Sequence, residues 1–400
     1  MASSIVWRRL RTMKEPLRIL DPMAGSGTTV VVSRLLGHEA LGFDTDPLAL
    51  LIARAWSSDV NADVLRKAAR RVLATATSKH PAIPLSEAYP KGADQETRAF
   101  VRFWFDAGNR RQLAALTEAI SEVRDGNSRT FLWCAFSRLI ITKQSGASLA
   151  MDVSHSRPHK VYRVGPIKPF KHFLNAVEAV LRGSHFARGK ELPPAAVRRG
   201  DARALPVRSG TVDFVITSPP YLNAIDYLRG HKFSLVWMGH QLSEVRKLRA
   251  ANVGTESAAK QSQEQEFISS AIEQMGRFGT VAPRIRGMLA RYVRDMDRVL
   301  AEVGRVLKEA GQAVFVVGDS TIRGTFVKNS RCLVFLAKRN GLRLRSVRRR
   351  LLPDNRRYLP PPGRRRSGKL LRARMRQEVV LVFSKPQNAT TLSSTGNADD

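Results

Sequence analysis

Short apolar runs of about four to eight residues, each bounded by turn residues, recur at 17–20, 40–43, 196–199, 212–217, 312–317, 342–349 and 378–383. Strands buried on both faces read as short, near-continuous apolar segments, so these runs predict the strands of a largely parallel sheet. Helical spacing of apolar positions fills the intervals. Residues 28–36 follow the first run directly, and 292–308, "YVRDMDRVLAEVGRVLK", carries an apolar stripe that Gly311 closes. Strand and helix in alternation predict an α/β fold, a doubly wound sheet of about seven strands with helices on both faces.

Two stretches interrupt the alternation and divide the chain. Residues 1–50 and 195–385 form the expected sheet domain, while 51–194, mostly helical in pattern, is a large insertion between the second and third strands. It contains the loop-like "DVSHSRPHKVYRVGPIKPF", and its Trp104 and Trp133 are expected in its core. A smaller insertion, 239–290, includes the polar "GTESAAKQSQEQE" and is expected to be a flexible excursion with helical parts. The tail, 386–400, has no apolar periodicity and is expected to be disordered.

Charge narrows the choice of partner. Lys and Arg number 67 against 34 Asp and Glu, a formal net charge of +33. Neutralising phosphates releases counterions, so nucleic acid is the expected partner. Residues 343–376 hold 14 Arg or Lys and one acid, Asp354, and are expected to place phosphate-binding charge beside the end of the sheet. Two cysteines, Cys134 and Cys332, suffice for neither a disulfide framework nor a four-ligand zinc site, and no metal is expected. His155 and His159 are read as loop or phosphate-facing residues. The longest apolar stretch, 131–142, is too short to span a bilayer and is broken by Arg138; with no apolar leader at the start, a cytoplasmic protein is expected.

The first strand runs into a glycine turn, "LRILDPMAGSGTTVV", with Gly25 and Gly27 at the bend. Glycines there let backbone amides approach a ligand. No Lys follows as in a P-loop, and Asp21 would set negative charge against a phosphate, so a cationic ligand fits better. S-adenosylmethionine, a sulfonium bearing an ammonium, is such a ligand. Asp44, 23 positions beyond Asp21, is placed to accept ribose hydroxyls, and Asp201 follows the third strand where a side chain would meet the adenine.

The fourth strand stops at Thr217 and runs into Ser218-Pro219-Pro220-Tyr221. Two prolines fix φ and remove two amide donors, leaving a rigid corner rich in acceptors. Such a corner suits an NH₂ group, and the Tyr221 ring offers a face for a planar base. Asp226 and Tyr227 read equally well as pocket lining or structure, and Asp319 as a turn cap.

"DPMAGSGTT" and "TSPPY" together resemble the cofactor and catalytic motifs of bacterial DNA methyltransferases that modify amino nitrogens, N4 of cytosine or N6 of adenine. Weaker likeness extends through "FWFDAGNRRQLAAL", "FSRLIITKQSGAS", "IDYLRGHKFSLVWMG", "VFVVGDSTIRG" and "EVVLVFSK". The resemblance implies a class I, Rossmann-like S-adenosylmethionine-dependent fold, double-stranded DNA as substrate and a possible cognate restriction nuclease as partner. It implies that Asp21, Pro22, Gly25, Gly27 and Thr28 form the methionine side of the cofactor site, Asp44 the ribose side and Asp201 the adenine side. Ser218 and the Pro219 carbonyl would then accept from the target amine, with Pro220 rigidifying the corner and Tyr221 stacking on the flipped base. The serine form of the tetrapeptide favours N4 of cytosine. Relatives carry an aromatic-rich cofactor motif before the glycine turn, and nothing in the first twenty residues resembles it. An RNA base methyltransferase and an inactive nucleic-acid-binding homologue are the competing expectations.

Overall fold

The computed structural model describes residues 2–141, 145–151, 159–184, 191–220, 222, 227–251, 262–276, 278, 283–322, 325–352 and 377–387. Among them a seven-stranded sheet is formed by β1 (Arg18–Asp21), β2 (Glu39–Asp44), β3 (Ala195–Arg199), β4 (Val212–Thr217), β5 (Leu307–Gly318), β6 (Arg343–Leu351) and β7 (Gln377–Ser384). Their spatial order is β6-β7-β5-β4-β1-β2-β3. The β1–β2, β1–β4, β2–β3 and β4–β5 pairs are parallel, whereas β7 runs antiparallel to both β5 and β6. All seven predicted runs are strands of this sheet.

Both faces of the sheet are covered, which is why the central runs are apolar without alternation. On one face, Phe214 and Ile216 of β4 join Val314, Val316, Val380 and Val382 beneath α1 (Ser3–Leu10), which contributes Ile5, Val6 and Leu10. On the other, Val215, Phe315, Leu381 and Phe383 pack with helices from the second half of the chain. Fully burying a side chain of this size contributes about 1.5–3 kcal/mol, so neither face of β4 tolerates a polar substitution. Helices α2 (Thr28–Leu35) and α3 (Pro47–Ser57) cover β2 and β3 through Val30, Leu50 and Ala53.

The expected helical insertion comprises α4 (Ala62–Lys79), α5 (Gln95–Trp104), α6 (Ala107–Ser121), α7 (Gly126–Ile140) and α8 (Pro169–Ser184). Helices α4 to α7 begin at Asn61, Asp94, Asp106 and Asp125, whose side chains accept first-turn amides. Each such cap stabilises its helix by about 1 kcal/mol. Leu65, Phe105, Leu116, Phe131, Phe136 and Phe173 fill a second core, with Trp104 and Trp133 packed against it. That core is completed from outside the insertion. Helix α9 (Leu228–Leu235) and the turn after it supply Phe233, Val236 and Trp237, with the Phe233 ring 5.2 Å from that of Trp104 and the Trp237 ring 5.5 Å from that of Phe105. The segment leaving the proline corner is therefore bolted to the insertion.

The smaller insertion is helical where it is described, and residues 252–261, with most of the polar stretch expected to be flexible, lie outside the described residues. It holds α10 (Leu242–Ala251), α11 (Ser262–Met275) and the start of α12 (Pro283–Val306). Ile268, Ala271 and Met275 of α11 are buried in the main core with α12 and α13 (Asn329–Arg339). Through those buried positions α11 packs as an amphipathic helix on the main core. The 292–308 stripe also ends sooner than predicted: α12 stops at Val306, and β5 begins at once, with a register shift against β4 before Phe214. No helix among the described residues is long and apolar enough to cross a membrane.

Candidate active site

Chain order reverses between β1 and β4. From β1 the sheet grows one way through β2 and β3, and the chain then returns to lay β4 on the other side of β1. In open α/β sheets the crevice at such a switch point, at the carboxyl ends of the strands, is where ligands bind. Asp21 and Thr217 are the last residues of those two strands. Their side chains meet: the Thr217 hydroxyl donates to Asp21 Oδ1 at 2.7 Å across 196 residues of sequence. The glycine turn and the proline corner are therefore neighbours, as the sequence reading required.

The β1 corner is assembled from several short-range constraints. Asp21 Oδ1 also accepts from the Met23 amide at 3.1 Å, folding the chain back over Pro22, which is buried. Gly25 and Gly27 have φ of +52° and +83°, a region that L side chains enter only with strain. A Cβ on Gly25 would meet nothing within 4 Å, whereas one on Gly27 would lie 2.8 Å from Ala53 Cβ. Gly27 thus lets α2 seat on α3, while the space beside Gly25 stays open to a ligand. Thr28 starts α2, and the Thr29 hydroxyl donates to the Ile216 carbonyl at 3.1 Å, pinning that helix to β4.

The β2 tip closes onto the same turn. Asp44 accepts the Gly25 amide on Oδ2 at 2.8 Å and the Asp46 amide on Oδ1 at 2.9 Å. At the β3 tip Asp201 lies beside it in the chain path, because the Gly200 amide donates to the Asp44 carbonyl at 3.1 Å. Its carboxylate, however, is gripped by Arg203, with Nη2 to Oδ2 at 2.7 Å and Nε to Oδ1 at 3.0 Å. Arg203 reaches on to Asp295 of α12 at 2.8 Å. The backbone places Asp201 where the sequence reading put it, and the side chain is already engaged.

These contacts set the electrostatics. Asp21 is 2% exposed, and burial pushes its carboxyl up to about 6 against the hydrogen bonds from Thr217 and Met23. Burial likewise raises Asp44, offset in part by amide donors from Asp46, Gly25 and Thr45. For Asp201 burial would raise the pKa too, but the Arg203 hydrogen bonds outweigh it and hold the carboxyl below the ordinary range. Buried, incompletely compensated acids at a strand tip favour a cationic ligand.

In the proline corner, Ser218 Oγ donates to the Val316 carbonyl of β5 at 3.0 Å. A hydroxyl has one proton and two acceptor lone pairs, so with the proton committed there, Ser218 presents only acceptors to anything else. Pro219 is buried and Pro220 exposed. Tyr221 and Asp226 lie outside the described residues, as do His155, 353–376 and 388–400. Tyr227 is described and is 59% exposed. Asp319, read as a turn cap, instead holds the start of α13, accepting from the Ser330 amide at 2.9 Å and its hydroxyl at 3.1 Å across 11 residues. Sequence reasoning gave no role to Thr217 or His231, although both stand inside stretches it singled out; neither residue's partner is close in sequence.

A parallel sheet of order 3-2-1-4-5-7-6, with the seventh strand reversed, is the class I fold of S-adenosylmethionine-dependent methyltransferases. No family model matches the chain. It is similar to the type II methyltransferase M.BsoBI of Geobacillus stearothermophilus, 25% identical over 281 residues, which are 63% of this chain and 53% of that protein. It is also similar to the type II methyltransferase M.MvaI of Kocuria varians, 22% identical over 336 residues, 76% of this chain and 71% of that one. The chain thus spans about half the length of the first relative. A solved S-adenosylmethionine-dependent methyltransferase from Methanosarcina mazei aligns over 94% of this chain and 95% of its own at 10% identity and a TM-score of 0.33. A putative methyltransferase from Listeria monocytogenes aligns over 96% and 100% at 8% identity and a TM-score of 0.32. Likenesses this weak add no weight, and the fold class rests on the strand order.

Proposed function

We propose that the chain transfers a methyl group from S-adenosylmethionine to the exocyclic amine of a flipped base in double-stranded DNA, with N4 of cytosine favoured. The observation that carries this reading is the 2.7 Å bond between Thr217 and Asp21, which sets an acidic corner and an acceptor-rich corner side by side at the switch point. The two relatives, each named a type II methyltransferase, support the same class of reaction.

The residues present fit the cofactor. Asp21 offers a buried carboxyl for a cation, and Gly25 has open space beside a strained backbone. Asp44, already fixed by two amides, retains lone pairs for ribose hydroxyls. S-adenosylmethionine supplies an electrophilic methyl on sulfur. Binding a cation beside Asp21 draws its proton off, so the acid is ionised in the loaded site.

An aromatic amine is a poor nucleophile because its lone pair is delocalised into the ring. Ser218, its proton held by Val316, accepts one N–H, and the Pro219 carbonyl accepts the other. Two acceptors so placed favour a tetrahedral nitrogen whose lone pair is freed for in-line attack, so placement and electrostatics carry the reaction. Extruding the base costs a few kcal/mol, offset by stacking and phosphate contacts. Charge for those contacts is available on the outermost strand of the sheet: Arg343, Arg345, Arg348 and Arg349 of β6 are exposed, and Arg9 of α1 lies close enough to Arg348 for the two to repel. Leu351 pairs with Gln377, and these two described residues flank the basic stretch 353–376 in the chain.

The test is transfer of tritiated methyl to bacterial genomic DNA and to RNA, followed by mass analysis of the nucleosides and sequencing of the methylated sites. N4-methylcytosine in DNA is expected. Label in RNA alone, or no binding of S-adenosylmethionine by calorimetry, would replace the reading with one of its competitors.

A further inference from the structure

The two corners are joined a second time, away from the β1–β4 seam. Asp46 closes the start of α3, its Oδ1 accepting from the Leu48 amide at 2.9 Å, and its own amide holds Asp44. Capping uses one carboxylate oxygen. The other, Oδ2, meets Nδ1 of His231 on α9, 185 residues along the chain. A carboxylate only accepts, so this bond fixes the proton on Nδ1. The Asp46 side chain is 9% exposed and that of His231 26%, so the contact is sheltered from water and salt.

What the bond connects gives it meaning. Gly25, Asp44, Asp46 and His231 form one continuous run of hydrogen bonds from the glycine turn to α9. Helix α9 is the first described helix after Ser218 and Pro219, and Phe233 anchors it in the core of the helical insertion. The Tyr227 ring, at its start, lies 6.1 Å from that of His231 and tilted by 32°. Neither the α3 cap nor the α9 packing needs an imidazole at position 231, since the first uses Oδ1 and the second uses Phe233 and Leu235.

We propose that His231 is a positioning residue that couples the cofactor corner to the target side: held by Asp46, it fixes α9 against the turn that follows Asp44 at the β2 tip, so that filling either corner favours filling the other. The inference rests on the methyltransferase reading above. Coupling between two binding sites is reciprocal and is commonly about 5- to 150-fold.

The experiment measures sinefungin affinity by calorimetry with and without a duplex carrying the methylated site, and duplex affinity by fluorescence anisotropy with and without sinefungin. In the wild-type protein each ligand is expected to tighten the other about tenfold. His231→Ala should bring that factor close to one. His231→Asn, whose amide nitrogen replaces Nδ1 as donor to Asp46, should retain it. Asp46→Ser keeps a capping hydroxyl but is too short to reach the ring, and serves as a second variant with the same expected loss. Coupling that survives both His231→Ala and Asp46→Ser overturns this proposal and leaves the functional reading standing. Loss in His231→Asn equal to that in His231→Ala would mark a packing role and overturn it too. A wild-type protein that binds neither ligand overturns the functional reading and this inference with it.

Discussion

The tips of β1 and β3 both carry an aspartate at a corner of the same crevice, and the two carboxyls have opposite fates. Asp21 is held by neutral donors, a hydroxyl and an amide among them, and burial pushes it up to about 6. Asp201 meets an internal cation, and the Arg203 hydrogen bonds outweigh burial and hold its carboxyl below the ordinary range. Position at a strand tip is therefore not what readies an acid for a charged ligand. What does is the absence of an internal counter-charge at a buried site, and that difference can be broken by substitution.

The largest effect is expected from Asp21→Asn. It removes the charge that answers a cationic cofactor, and S-adenosylmethionine binding measured by calorimetry should weaken about a hundredfold, or 3 kcal/mol. Stability should move the other way. The Asp21 pKa is raised on folding, so its contribution is fully present below the unfolded value of 3.8 and lost as pH rises through about 6. An uncharged Asn avoids that loss, and chemical denaturation at pH 8 should show a gain of up to about 3 kcal/mol. In the wild-type protein, cofactor affinity should fall as pH drops below about 6 and level off above it, whereas Asp21→Asn should show a flat profile.

Ser218→Ala tests the other side of the β1–β4 seam. Losing one acceptor for the amine should lower kcat in a methyl-transfer assay about thirtyfold, or 2 kcal/mol, with cofactor affinity unchanged. Gly27→Ala probes the packing behind the corner. With φ at +83° and Ala53 Cβ 2.8 Å from the new methyl, it should cost about 2 kcal/mol in a denaturation titration. The smallest effect belongs to the β3 tip. Arg203→Met should cost about 1 kcal/mol at neutral pH, because the Asp201 side chain is 37% exposed and its pairing is screened. The Asp201 pKa is depressed on folding, so its contribution is present above the unfolded value and lost as pH falls through the folded one. Arg203→Met should therefore flatten the acid limb of the stability curve, and a steep limb that persists would assign it to other carboxylates.

Much of the fold was legible because the sheet is covered on both faces. Phe214 and Ile216 go one way and Val215 the other, and all three must be apolar, so β4 announces itself as a continuous run. The glycine turn was equally readable, since positive φ at Gly25 and Gly27 leaves few other residues. Helix α11 is harder to read from sequence, because Ile268, Ala271 and Met275 are few apolar positions beside a polar stretch whose residues 254–261 lie outside the described residues. His231 stood in a quoted segment without a role, since nothing nearby in sequence hints at a carboxylate 185 residues away.

By itself the sequence determined which segments are strands, where the chain turns back and which corners are acidic or rich in acceptors, because periodicity, φ preference and lost amide donors are local properties. Tertiary structure alone decided which corners meet and what charge state each acid keeps. The fold brings Thr217 to Asp21 and Arg203 to Asp295, whereas Arg203 meets Asp201 from two residues away in the chain. Burial and counter-charge, which set a carboxyl's pKa, are sums over neighbours in space, and the linear chain does not specify those neighbours until it is folded.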